Sequence, residues 1–209
     1  MTRMNVAALA LLALVGTSVG AQTVRVSVGP GSRLWIDGTS NLHGWSCKAD
    51  TLEAAIVVDA NVAGQLATAA PEALKHVQVK VPVRALKCGH GAMDNNLYKA
   101  LGADDSPSVS YILASFTATA GAMKDSFTLH TSGTLEVAGK QNTIAIDVDA
   151  TRLPDGGIKA TGAVPIKMTD YGIKPPTAMF GTLKTGDQVV VHFELTVTGR
   201  AIADASGLR

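Results

Sequence analysis

The chain has 209 residues, 18 basic and 17 acidic side chains, a formal charge of +1, and only 4% aromatic residues. Near-neutral charge without any run of one sign argues against a nucleic-acid or acidic-membrane partner recognised through net charge. The length suits one domain with a sizeable core.

At the N-terminus, Arg3 precedes an apolar run from Val6 to Val15, and Val19-Gly20-Ala21 gives a small-x-small ending before Gln22. This pattern predicts a secretory signal peptide over 1–21. Its apolar run is shorter than the ~20 residues of a transmembrane helix. A Gly-x-Ser-x-Gly match, Gly16 to Gly20, falls inside this segment and lacks the strand-to-helix turn of a nucleophile elbow, so it is a chance match. The expected mature domain is 22–199, in the periplasm or secreted. Residues 200–209 read as a flexible tail. Loss of Arg3 brings the mature charge balance to zero.

Period-two alternation dominates the mature chain and predicts half-buried strands. In chain order they carry Val24/Val26/Val28, Leu34/Ile36, Ala54/Ile56/Val58, Val77 to Val83, Val109/Tyr111/Leu113, Phe127/Leu129, Leu135/Val137, Ile144/Ile146/Val148, Ile158 to Met168, and Val189 to Val197. Turns are predicted at Ala138-Gly139-Lys140, Asp155-Gly156-Gly157 and Thr185-Gly186-Asp187. His76, His130 and His192 fall on the polar phase and are expected outside. Between Arg84 and Pro107 the alternation stops. Met93, Leu97, Ala100 and Leu101 take helical spacing there, with Asp94 as the N-cap and Gly102 as the stop. A second irregular stretch, 168–181, holds Tyr171, Ile173, Met179 and Phe180 around a Pro pair that prevents central strand pairing. The fold class expected is all-β, an antiparallel barrel with one inserted short α-helix.

Catalytic motifs are lacking. There is no Gly-rich loop followed by Lys-Ser/Thr, Gly89-His90-Gly91 opens no dinucleotide fingerprint, and Asp104-Asp105 reads as a solvated loop pair. No enzyme activity and no cofactor beyond a bound lipid is expected. Cys47 and Cys88 have two readings. In an exported chain an oxidising compartment favours a disulfide. Alternatively, His43, Cys47, Cys88 and His90 form a tetrahedral metal set or a redox-responsive site. No Cys-x-x-Cys supports dithiol exchange.

The stretch Ser40-Asn41-Leu42-His43-x-Trp45-x-Cys47 resembles the YceI-like family of exported, lipocalin-like proteins. So do Met93 to Leu101 followed by Pro107, Thr134-Leu135-x-Val137-x-Gly139, Met168 to Pro176, and Gly186-Asp187-x-Val189. The resemblance covers nearly the whole mature chain. It implies a barrel around an elongated apolar cavity with a helix over one side, and binding of a polyisoprenoid, isoprenoid quinone or other lipid. Composition permits this, since Val, Ile, Leu and Ala dominate the strands and small interior side chains leave room.

The candidate wall residues are Leu97, Leu101, Tyr111, Leu113, Phe127, Leu129, Phe193 and Leu195. The candidate mouth residues are His43, Trp45, Tyr98, Tyr171, Met179 and Phe180, with His43 or Lys99 meeting a polar head group. The expected partner is an apolar small molecule, with no nucleic acid and no integral membrane span. The rival to this reading, besides the metal or redox protein, is a structural or stress-related envelope module with a filled barrel.

Overall fold

The computed structural model describes residues 23–59 and 74–202, with side chains for 28–58, 74–177 and 180–197. The predicted signal peptide, the 60–73 connection and residues 203–209 lie outside these. The elements are β1 (Thr23–Val28), β2 (Arg33–Ser40), β3 (Gly44–Ala49), β4 (Glu53–Asp59), β5 (Leu74–Pro82), β6 (Leu86–Lys87), α1 (Gly91–Ala100), β7 (Ser108–Ala120), β8 (Ser126–Val137), β9 (Lys140–Arg152), β10 (Ile158–Lys167), β11 (Thr177–Ala178) and β12 (Leu183–Ile202). No helix among the described residues is long and apolar enough to cross a membrane.

Hydrogen bonding runs in the order β1-β4-β5-β7-β8-β9-β10-β12-β2-β3-β6, and β1 also pairs with β12. The sheet therefore returns on itself as an antiparallel barrel. β12 is long enough to pair with β2 over Thr185–Glu194 and with β1 over Val197–Ile202. Closure satisfies backbone groups that an open edge would leave unpaired. The β8–β9 ladder runs unbroken from Ser126 opposite Thr151 to Val137 opposite Lys140. It turns through Ala138 and Gly139, with φ of 51° and 74°. Positive φ at both central residues suits the right-handed twist of a hairpin.

Bulges set which residues face inward. Leu113 lies opposite Gly133 but Ser115 opposite Ser132, so Ala114 is an extra residue in β7. The inward set consequently switches from Val109, Tyr111 and Leu113 to Phe116, Ala118 and Ala120. Lys75 plays the same part in β5.

Four sequence readings need correction. Phe127/Leu129 and Leu135/Val137 belong to one strand, β8, because Thr131 and Gly133 keep the inward phase between them. Thr185-Gly186-Asp187 is not a turn but a register break within β12, where Thr185 pairs with Ser40 and Val189 with Gly38. The tail expected from residue 200 does not begin there, since β12 continues to Ile202 against β1. Asp94 is not the N-cap of α1, which is His90. Asp94 instead accepts the Cys88 backbone N–H at 2.7 Å, in the first helical turn where a negative charge suits the dipole.

The main core cluster joins Val81, Val83, Leu86, Leu101, Ala103, Leu135, Val137, Tyr171 and Ile173, with Leu97 and Ile144 packed on it. This cluster fills the barrel near α1 and the 3-10 turn Met168–Tyr171. A smaller cluster of Ile56, Val58 and Val197 lies elsewhere along the barrel. His130 pairs with Asp147 at 2.8 Å, and His192 stacks on Trp35 with ring centroids 4.9 Å apart, both on the outer face.

Asp187 pins the register break to the 3-10 turn by accepting the Thr169 backbone N–H at 3.0 Å and the Thr169 hydroxyl at 2.7 Å. These bonds, the side-chain one foremost, hold its carboxyl below the usual carboxylate range. A lowered folded-state value means stabilisation that is complete at neutral pH and lost as pH falls through it. Asp187→Asn is therefore expected to lower the melting temperature at pH 7. The gap from the unaltered protein should close below about pH 4. Thermal melts across that range check this; a gap independent of pH would contradict it.

Candidate functional site

The barrel is hollow. A cavity of about 760 Å³ runs along it, walled by the inward phase of the strands. β12 contributes Val189, Val191, Phe193, Leu195 and Val197; β9 contributes Ile144, Ile146 and Val148; β8 contributes Phe127, Leu129, Thr131, Leu135 and Val137. Met93, Leu97 and Ala100 of α1, with Leu101 at its C-terminal cap, close one flank. The volume lies within the ~300–1,000 Å³ typical of small-molecule sites.

Three aromatic side chains of the wall occupy the space beside inward glycines, where a Cβ would otherwise stand. Trp45 lies on Gly38, Phe193 on Gly162, and Tyr111 on Gly133, and a Cβ at any of these glycines would overlap the ring. Gly38 pairs directly with Trp45, and Gly162 with Phe193. Glycine in a strand interior weakens the strand but admits the close approach of another group. Each such pair lines the wall with a ring where two ordinary side chains would fill the lumen.

Polar groups in the wall are few and mostly paired. Thr131 is 9% exposed. Its hydroxyl donates to the Ile146 carbonyl at 2.8 Å, and so accepts from the Tyr111 hydroxyl at 3.2 Å, since a hydroxyl has one proton to give. Burial pushes the Tyr111 hydroxyl above its ordinary pKa, as it does for Tyr171. The Tyr171 hydroxyl is buried and has no hydrogen-bond partner among the described residues. At one end of the cavity Arg152 sits over the Phe127 ring, 5.0 Å from its centroid.

All eight predicted wall residues, Leu97, Leu101, Tyr111, Leu113, Phe127, Leu129, Phe193 and Leu195, line this cavity, as do His43, Trp45 and Tyr171. Three others are placed elsewhere. Tyr98 turns away from the lumen, its hydroxyl held by the carbonyls of Arg84 and Leu86 and by the Lys87 ammonium at 2.7 Å. Lys99 is exposed on the outer side of α1. Phe180 is fully exposed and does not line the cavity. The Met179 side chain lies outside the described residues. Sequence reasoning missed the three glycines, although each interrupts the apolar phase of its strand; that interruption was the available signal.

Cys47 and Cys88 form a disulfide that ties β3 to the segment entering α1, and both line the cavity. Both sulfurs are used in that bond, so the four-ligand metal set drawn from His43, Cys47, Cys88 and His90 lacks its two thiolates. His43 turns its Nδ1 to the Gly44 carbonyl at 2.8 Å. No group of three or more His, Cys, Asp or Glu suited to a metal occurs among the described residues.

A family model described as "YceI-like domain" matches residues 38–197. Among solved structures, the chain is similar to a polyisoprenoid-binding domain from Saccharophagus degradans implicated in plant cell wall breakdown, with 15% identity, 84% of this chain and 98% of that one covered, and a TM-score of 0.63. BcnA of Burkholderia cenocepacia gives 16% identity, 80% and 96% coverage, and a TM-score of 0.60. The Campylobacter jejuni YceI protein gives 16% identity, 76% and 85% coverage, and a TM-score of 0.52. At these identities the likeness speaks for the fold. No curated protein matches the chain.

Proposed function

The chain belongs to the YceI-like family, and from that premise we propose that it binds an elongated apolar molecule, a polyisoprenoid, isoprenoid quinone or other lipid, and carries or stores it in the periplasm. The observation that carries this reading is the cavity of about 760 Å³ with its almost wholly apolar wall. The polyisoprenoid-binding domain from Saccharophagus degradans, which has the same fold, supports the choice of ligand class.

The energetics suit such a ligand. Burying a twenty-carbon segment gains about 16 kcal/mol at ~0.8 kcal/mol per methylene. Association costs roughly 4–15 kcal/mol in lost freedom. The apolar term alone exceeds that cost, so no charged anchor is required. A chain longer than the lumen leaves its end at the mouth, beside His43 or beside Arg152. The role is binding, and no step of covalent chemistry is assigned to the wall.

The test is organic extraction and mass spectrometry of protein purified from cells without detergent. A long-chain apolar molecule should be recovered with the polypeptide. Its absence, together with no uptake of labelled prenyl or acyl chains, would overturn the proposal.

A further inference from the structure

The barrel wall has a seam. β9 is laddered to β8 from Lys140 to Thr151, and β10 to β12 from Ile158 to Lys167. Between β9 and β10 the ladder covers only Ile158 to Thr161 against Arg152 to Asp149. Beyond those pairs both strands run on, β9 back to Lys140 and β10 forward to Lys167, without pairing to each other. Pro165 lies in the unpaired stretch. It has no N–H to give, and a proline inside a strand suits an unpaired edge.

An open cleft lies on the outside of the seam, between Asn142 and Thr143 of β9, Pro165 and Lys167 of β10, and the 3-10 turn Met168–Tyr171. Side chains, not hydrogen-bonded backbone, separate this cleft from the lumen: Ile144, Ile166 and Tyr171 line both. Tyr171 is 4% exposed, and its buried hydroxyl has no partner among the described residues. A buried hydroxyl left unpaired costs free energy. The closed position of this ring therefore lacks a bond that water would supply once the ring moved out into the cleft.

The turn is clamped unequally. On the β12 side, Asp187 accepts both the backbone N–H and the hydroxyl of Thr169. Across the seam, the Asn142 side chain donates to the Asp170 carbonyl at 3.0 Å. Among the described residues, that is the hydrogen bond that bridges the wide end of the seam. Parting the strands here breaks it, whereas parting β8 from β9 breaks an unbroken ladder.

We infer that the seam between β9 and β10 is a lateral portal through which the apolar ligand enters and leaves the lumen, with Ile144, Ile166 and Tyr171 as its gate and Asn142 as its latch. The inference rests on the lipid-binding reading and adds the route. An elongated chain passes sideways through a parting wall without threading its whole length past one end of the barrel.

The experiment staples the portal shut. Thr143 and Lys167 are exposed and flank the cleft from opposite strands. Thr143→Cys with Lys167→Cys, joined by a bis-maleimide, should slow loading and release of radiolabelled geranylgeraniol at least tenfold and leave its equilibrium affinity unchanged. The same staple on Glu136→Cys with Gln141→Cys, which face each other across the β8–β9 ladder, should leave exchange at its original rate. Asn142→Ala should speed release about fivefold, the worth of one hydrogen bond. Normal exchange through the stapled seam overturns the inference, as does equal slowing by the two staples or an unchanged release rate in Asn142→Ala. In each of those cases geranylgeraniol still binds, so the lipid-binding reading stands. An unaltered protein that binds no geranylgeraniol overturns both.

Discussion

Gly162→Ala is expected to abolish most ligand uptake while leaving the barrel folded. The added methyl group would occupy the place of the Phe193 ring. The ring must then swing into the lumen, the one direction in which it meets empty space. It takes there the room of about four carbons of ligand, which at ~0.8 kcal/mol per methylene is a loss of about 3 kcal/mol, or on the order of a hundredfold in affinity. Glycine in a strand interior costs roughly 0.5–1 kcal/mol relative to alanine, which offsets the close approach of the added methyl group to the Asp147 carbonyl at 3.1 Å. Adding Phe193→Ala should restore the space and most of the affinity. Titration of a labelled prenyl chain into the two variants checks this. A Gly162→Ala protein that binds normally, or a double variant that stays defective, would contradict the wall geometry. The same logic applies to Gly38 and Trp45, where the overlap is with the ring alone. Gly133 is a harsher site, because a methyl group there also strikes the Ile112 carbonyl.

Loss of the Cys47–Cys88 bridge is expected to be the largest single effect on stability. The bond spans a sequence separation of 41 residues. Closing a loop of that length removes chain entropy from the unfolded state worth about 4 kcal/mol. For a domain of this size that is a fall in melting temperature of roughly 8–16 °C. The bridge also anchors the start of α1, whose Met93 and Leu97 wall the cavity, so the bridged form should hold ligand more tightly as well. Denaturant unfolding of Cys47→Ser/Cys88→Ser against the unaltered protein measures this. A change under about 1 kcal/mol would show that the bridge constrains little.

The strand phase was legible because one face of each strand is wet. Alternation alone placed Val189 to Val197 and Ile144 to Val148 on the inner wall. The resemblance added the hollow interior, which no count of valines can give. The bulges at Lys75 and Ala114 were not legible, because an extra residue changes the phase without any compositional mark. β3 was missed as a strand because its inward positions are Trp45 and Cys47, which read as a motif before they read as alternation. Tyr98 was misplaced for a different reason. On a helix that lies across a barrel, residues one apart in sequence face different ways: Leu97 meets the lumen while Tyr98 holds the carbonyls of Arg84 and Leu86. Phe180 reads as part of a mouth in sequence and stands beyond it in space.

Native mass spectrometry of the full chain, purified without detergent, tests most directly whether this barrel is a container with an apolar occupant. The expected result is a species heavier than the polypeptide by one long-chain apolar molecule, released on organic extraction and regained on incubation with a labelled prenyl chain. Only the bare polypeptide mass, both as purified and after that incubation, would contradict it.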